Sequence, residues 1–344
     1  MNWLKLKNHL DKYLPPVYVT LAMIAGFYVG THADVEKYKS TLKTLNMLVV
    51  ISMIYPMMIN LRLGELKNSA KLGKQLTIAL TMGLIISPLI MYGAIWLTEL
   101  FHPLNHQLAL GLLLAVVVPC SSMSIAYTGF TKGNIELATI VVALSFTLAI
   151  VTVPGWLKIF ASSYHVSISV WLLIKTIIIV VITPPMILGV LTRWYLIKKL
   201  GTEGFLRIKP AFPAISLLGM YTIVFLIFME KAKLIASKPS IVGLALIPLV
   251  IYYTTALLFM TLVDRAAGIP YRDHMAITFT SVGKNEGGTA MAIALAAGTG
   301  LMAIAPAVTP IVQIPFLVGY VKMWRKIASL WNCKVLHEEA EPVP

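Results

Sequence analysis

Residues 281–295 read SVGKNEGGTAMAIAL, with Lys284 and Glu286 two positions apart among glycines and apolar residues on both sides. A carboxylate in such a place can take up and release a proton or hold a cation. An ammonium can neutralise that carboxylate, bind an anion, or stand where a cation would otherwise sit. In a regular helix, side chains two apart do not face each other. Gly283, Gly287 and Gly288 permit unwound backbone, which is tolerated at membrane depth only beside a cavity or within protein. The stretch therefore reads as a broken helix at a polar cavity, with Asn285 between the two charges. Of 14 acidic residues, Glu286 is the one the pattern places at membrane depth, the others falling in loops, tails or span ends. A lone carboxylate there costs several kcal/mol unless protonated, paired or hydrated. It reads as a proton or cation site, against the plainer reading of a neutralised packing residue.

A second stretch, PCSSMSIAYTGFTKGN at 119–134, carries the other chemistry. Pro119 removes a backbone donor and frees a carbonyl. Ser121, Ser122 and Ser124 can satisfy the freed groups or line a path. Cys120 puts a soft thiol near the middle of an apolar segment. Taken alone it reads first as a small buried hydrophobe and second as a ligand for a thiophilic substrate. The other cysteine, Cys333, reads as a free thiol in a polar tail, and two cysteines give neither a disulfide framework nor a CxxC metal pattern. His102, His106, His165 and His274 fall at predicted loops, so no metal site is expected. Cys120 and Glu286 have no histidine at depth to act with, which argues against an intramembrane hydrolase. No phosphate-binding glycine motif is present, so no cofactor is expected and a separate ATPase subunit is not required. Asn60 and Gln313 read as packing features, and Lys175 as a lysine that snorkels to the interface.

The elements that must position these residues are legible from composition. The 344 residues are 58% hydrophobic and 12% charged, with mean hydropathy +0.83. Soluble domains carry about 25% charged residues, so this is a polytopic membrane protein. Spans of roughly 20 apolar residues are predicted at 16–31, 44–61, 75–98, 107–129, 135–157, 166–192, 211–229, 240–263, 274–297 and 300–321. With the N-terminus inside, nineteen Lys and Arg fall in cytoplasmic segments and seven in outer ones, Lys175 and Lys284 lying within spans. That bias places both termini in the cytoplasm. The net charge of +14 is spread in short clusters facing anionic lipid, and no nucleic-acid partner is expected. No cleavable signal peptide is read at the N-terminus. Ten spans divide into two sets of five of opposite orientation. The predicted fold is an all-α polytopic membrane protein, ten transmembrane helices as two inverted five-helix repeats, with broken helices 4 and 9 crossing near the midplane. The repeats would occupy 1–160 and 161–325, with a cytoplasmic tail at 326–344.

At these residues the sequence resembles the arsenite efflux permeases of the arsenical-resistance type. These belong with the bile acid:sodium symporters to one superfamily of ten-span inverted-repeat carriers. The resemblance rests on PCSSMSIAYTGFTKG, on NEGGTAMAIAL, on IYPMMINLRLGEL at 54–66 and on IVQIPFLVGYVKM at 311–323. It implies that Cys120 matches the family cysteine linked to trivalent arsenic and Glu286 its span-nine acid. Arsenite is mostly neutral at pH 7 and thiophilic, and the thiolate is the reactive form of cysteine. The implied function is secondary transport exporting arsenite or a related metalloid by proton exchange at the inner, cell membrane. One departure stands out. Where the family carries Asn-Asn-aromatic before the Glu, this chain has Gly283, Lys284 and Asn285. Against the bile-acid branch, Lys284 falls at a sodium-holding Gln and Thr280 at a Glu, which predicts transport independent of sodium. The alternative is an organic-anion carrier with Lys284 as the carboxylate partner.

Overall fold

The computed structural model describes residues 3–59, 73–121, 123–164, 183–208, 211–237, 239–285, 289–296 and 300–331, together with 171, 175 and 178. The named elements are helical throughout. They are α1 (Trp3–His32), α2 (Lys39–Ile59), α3 (Gly73–Thr81), a π-helical turn (Met82–Ile86), α4 (Ser87–Glu99), α5 (His106–Val117), α6 (Met123–Phe130) and α7 (Ile135–Ser163). The second half contains α8 (Thr183–Ile208), α9 (Ala211–Glu230), α10 (Ala232–Ser237), α11 (Ser240–Ala266), α12 (Tyr271–Val282), α13 (Met291–Ala296), α14 (Gly300–Lys322) and α15 (Trp324–Leu330).

Among the described residues four helices are long and apolar enough to cross a membrane: Gly73–Glu99, Ile135–Ser163, Ser240–Ala266 and Leu301–Lys322. Shorter apolar helices run over Val17–His32, His106–Val117 and Leu218–Glu230. Large apolar side chains such as Val151, Leu262, Leu218 and Ile24 are exposed. In a chain of this composition they face lipid. Lys175 places its ammonium 5.1 Å from the Trp171 ring centroid.

The helices pack in two groups. One is serial, α1 on α9, α9 on α2 and α2 on α8. The other gathers α3 to α7 with α11, α12 and α14, and α14 also touches α1 and α9. Helices in lipid gain little from apolar burial against one another, so close backbone approach through small residues matters. Gly26 and Gly30 on α1 lie directly on the Phe225 and Met229 backbone of α9, where a Cβ would overlap a carbonyl oxygen. Gly111 on α5 meets Met302 of α14 in the same way.

Two helix pairs are interrupted where the sequence predicts breaks. Val118 precedes Pro119, and the residue before a proline is pushed out of the α region. It adopts ψ 158, and α5 ends. α12 ends at Gly283 with ψ 97. A Cβ there would sit 2.7 Å from the Ser124 hydroxyl oxygen, so only glycine fits this approach.

Candidate substrate and coupling site

The two breaks meet. Pro119 to Ser121 run antiparallel to Gly283 to Asn285, with Cys120 directly opposite Lys284. The Ser121 N–H donates to the Gly283 carbonyl at 2.9 Å, and the Asn285 N–H donates to the Pro119 carbonyl at 3.0 Å. This is the non-hydrogen-bonded pair of an antiparallel ladder, in which opposed side chains share one face about 4.5 Å apart at Cα. Each segment satisfies backbone groups that the other's helix end leaves open. The Ser124 hydroxyl adds a bond to the Gly283 carbonyl at 3.2 Å. The Ser121 hydroxyl accepts from the Met123 N–H at 3.3 Å and starts α6.

Lys284 is 1% exposed. Its ammonium donates to the Gly83 carbonyl at 2.5 Å. That carbonyl is available for a local reason. In the π turn the Ser87 N–H bonds to Met82 rather than Gly83, so the Gly83 oxygen has no helical donor. Pro88 has no N–H to offer Leu84 four residues back, and the Trp156 indole donates to Leu84 instead at 2.7 Å. Ser87 and Ser281 stitch the turn to α12 through the carbonyls of Ser281 at 3.1 Å and Ala79 at 3.3 Å. The carbonyl ends of α5 and α12 both abut the crossing, and such ends favour a positive charge.

The Lys284 backbone is clamped by Gln313 on α14. The Lys284 N–H donates to its Oε1 at 3.0 Å, and its Nε2 donates to the Lys284 carbonyl at 3.2 Å. The same Oε1 accepts from the Tyr253 hydroxyl at 2.7 Å. Gln313 is thus a partner of the crossing and not the packing residue the sequence reading made it. Across the pair, the Cys120 thiol lies 3.0 Å from the Ser145 hydroxyl on α7. Ser145 donates its own proton to the Val142 carbonyl at 2.9 Å, so its oxygen accepts from the thiol. Asn285 donates to the Thr289 hydroxyl at 2.9 Å, and its carbonyl accepts from the Thr289 N–H at 3.0 Å.

The depth of the crossing follows from its partners. At about 1.5 Å per residue, Gly83 lies roughly 15 Å from one end of Gly73–Glu99 and roughly 24 Å from the other. Ser145 and Gln313 are similarly central in Ile135–Ser163 and Leu301–Lys322. A thiol and an ammonium are therefore brought side by side, mid-span, from positions far apart in the chain. Pro119, Cys120, Ser121, Lys284 and Asn285 assemble as one site. Glu286 and Ser122, with Asn60 and Cys333, lie outside the described residues.

A second polar cluster contradicts the sequence reading. His274 is not in a loop but inside α12, fully buried, 2.7 Å from buried Asp264 of α11. Asp273, also buried, accepts from Asn134 at 2.8 Å and Gln75 at 3.1 Å. The run YRDH at 271–274 marks a loop by polarity alone, and tertiary partners overrule it.

A family model described as the Sodium Bile acid symporter family matches residues 47–238. Among curated proteins, the chain is 27% identical over 339 residues to the arsenical-resistance protein Acr3 of Corynebacterium glutamicum, covering 92% of this chain and 90% of that one. It is 23% identical over 256 residues to the arsenical-resistance protein Acr3 of Alkaliphilus metalliredigens, covering 70% and 71%.

Proposed function

This chain belongs to the Sodium Bile acid symporter family, and on that premise we propose that it is a secondary carrier that exports arsenite or a related trivalent metalloid. The family consists of membrane carriers and not enzymes, and a multi-pass membrane location follows from membership and from the apolar helices. The observation that carries the substrate reading is the buried thiol of Cys120 at the meeting of two helix breaks, opposite Lys284. Both Acr3 relatives bear arsenical-resistance names, which supports this cargo over an organic anion.

The chemistry is balanced without a cofactor. The Cys120 sulfur displaces one hydroxyl from As(OH)3, the thiol proton leaves with it as water, and one As–S bond forms. The reverse step releases the cargo on the other side. Coupling is assigned to Glu286 on its sequence position, as the group that exchanges the driving proton. Independence from sodium is supported by Lys284, whose ammonium already occupies the carbonyl that a small cation would seek. The wider architecture proposed is ten spans with both termini cytoplasmic, in two inverted repeats at 1–160 and 161–325. The paired breaks, one from each half, support it. Alternating access then moves the crossing as one piece between two facings.

The test is arsenite uptake into everted vesicles with an imposed pH gradient, with and without sodium. The wild type is expected to accumulate arsenite with the gradient alone, and Cys120→Ser to lose that accumulation while keeping its expression level. Accumulation that needs sodium would refute the independence, and a Cys120→Ser carrier with wild-type uptake would refute the thiol's role.

A further inference from the structure

We propose that Asp264 and His274 form a proton-binding site at the base of α12, separate from the crossing and independent of what the carrier moves. The Thr261 hydroxyl donates to the Leu257 carbonyl at 2.7 Å. Its oxygen is also 2.7 Å from the Tyr320 hydroxyl, which must then be the donor of that bond. With its proton so used, Tyr320 accepts at 2.9 Å from His274 Nε2, which therefore carries a hydrogen. The other ring nitrogen, Nδ1, lies 2.7 Å from Asp264 Oδ2. Two lone pairs cannot face each other at that distance in a dry site, so a proton lies between them. The pair holds one proton more than a neutral imidazole beside a bare carboxylate.

The remaining oxygen fixes which partner carries it. Asp264 Oδ1 is buried and has no hydrogen-bond partner among the described residues. An ionised carboxylate with an unpartnered, buried oxygen is far costlier than a neutral acid with an unpartnered carbonyl. The proton therefore belongs to Asp264 as a carboxylic acid donating to Nδ1, with the Thr278 hydroxyl 3.2 Å from the same nitrogen. Both residues are fully buried.

The groups facing the pair are few. Asp264 comes from α11 and Tyr320 from α14. Trp331, just past α15, stacks on the imidazole at 4.5 Å and 20°, and its indole donates to the Ile269 carbonyl at 2.7 Å. Asp273 turns away to Gln75 and Asn134. From α6, Tyr127 packs against Phe279, and Tyr271 on α12 reaches the Thr131 carbonyl at 3.0 Å. Arg325 lies over the Trp324 ring. Lys74 on α3 spends its ammonium on the Ala267 carbonyl at 2.9 Å, and the ion partner of Asp264 among the described residues is His274. The proton thus joins α11, α12 and α14 at the end of the helix whose other end carries Lys284. Its loss sets a carboxylate against a bare nitrogen and loosens that joint.

The experiment is infrared difference spectroscopy of the full-length protein in lipid, between neutral and strongly alkaline pH. A carboxylic-acid carbonyl band is expected to disappear on alkalinisation in the wild type, to be missing from Asp264→Asn, and to be shifted in His274→Gln. Glu286 contributes equally to all three and cancels in the comparison. An Asp264→Asn spectrum superimposable on the wild type would overturn the proposal. Tyr320→Phe guards against misfolding, because it leaves the pair intact but removes the acceptor of Nε2–H. It is expected to move the midpoint at which the band is lost, and an unmoved midpoint counts against the site.

Discussion

Replacing Gln313 by leucine tests whether one amide holds the crossing together. Leucine is of similar size and apolar, so the helix α14 should accept it. The change removes three bonds to buried groups at once: those to the Lys284 N–H, the Lys284 carbonyl and the Tyr253 hydroxyl. Lys284 is 1% exposed and Tyr253 0%, so water cannot easily substitute. Each such bond is worth about 1 kcal/mol. Three such bonds, less about 1 kcal/mol for the added apolar burial, leave a loss of about 2 kcal/mol. For proteins somewhat smaller than this one, each kcal/mol moves Tm by about 2–4 °C, so the expected drop is about 4 °C or more. Tyr253→Phe is the internal control. It removes one of the three bonds and leaves the amide in service to Lys284, for a loss of about 1 kcal/mol. Both variants should be scanned at one heating rate in one detergent, since unfolding of such proteins is commonly irreversible. If Gln313→Leu melts no lower than Tyr253→Phe, the amide of Gln313 does not hold the crossing together.

Two further outcomes are expected. Pro88→Ala returns an N–H to the Leu84 carbonyl, which favours an ordinary α-helical turn and draws the Gly83 carbonyl back to Ser87. Transport should fall about tenfold, the equivalent of one bond of about 1.4 kcal/mol, while apparent Tm holds or rises; a carrier with full activity would show that the π turn is incidental. Gly26→Val places a branched side chain on the Phe225 backbone carbonyl and should destabilise by about 1–3 kcal/mol, whereas Gly93→Ala, with nothing within 4 Å of its Cβ position, should be neutral. Thermal melts of the two side by side decide whether α1 and α9 depend on that close approach.

The breaks were legible in the sequence because proline and glycine act on the backbone locally. Pro119 constrains Val118, and Gly283 admits what no Cβ could, so α5 and α12 end where the pattern places their ends. That the two breaks meet was expected from the equivalent places the sequence pattern predicts for them. The π turn was not legible. Its mark is a bond that Pro88 fails to make, and its completion is an indole 72 residues further along the chain. Gln313 and Ser145 were missed as site residues for a similar reason: a lone polar side chain in an apolar helix looks the same whether it packs or clamps. His274 was misplaced because charge density was taken for exposure, when Asp264 and Tyr320 supply partners from two other helices.

The backbone pairing at the crossing has a consequence for biogenesis. The residues that complete each other lie about as far apart as Ser124 and Gly283, separated by 159 positions. When the first half enters the bilayer, the Pro119 carbonyl and the Ser121 N–H face a hydrocarbon medium that offers them nothing. They stay unmet until Gly283 and Asn285 are synthesised and inserted. A nascent chain of the first half is thus an assembly intermediate with open valences at its centre, prone to capture by chaperones or membrane proteases. Two halves made as separate polypeptides in one cell should find each other through those same valences, and each should be degraded when made alone.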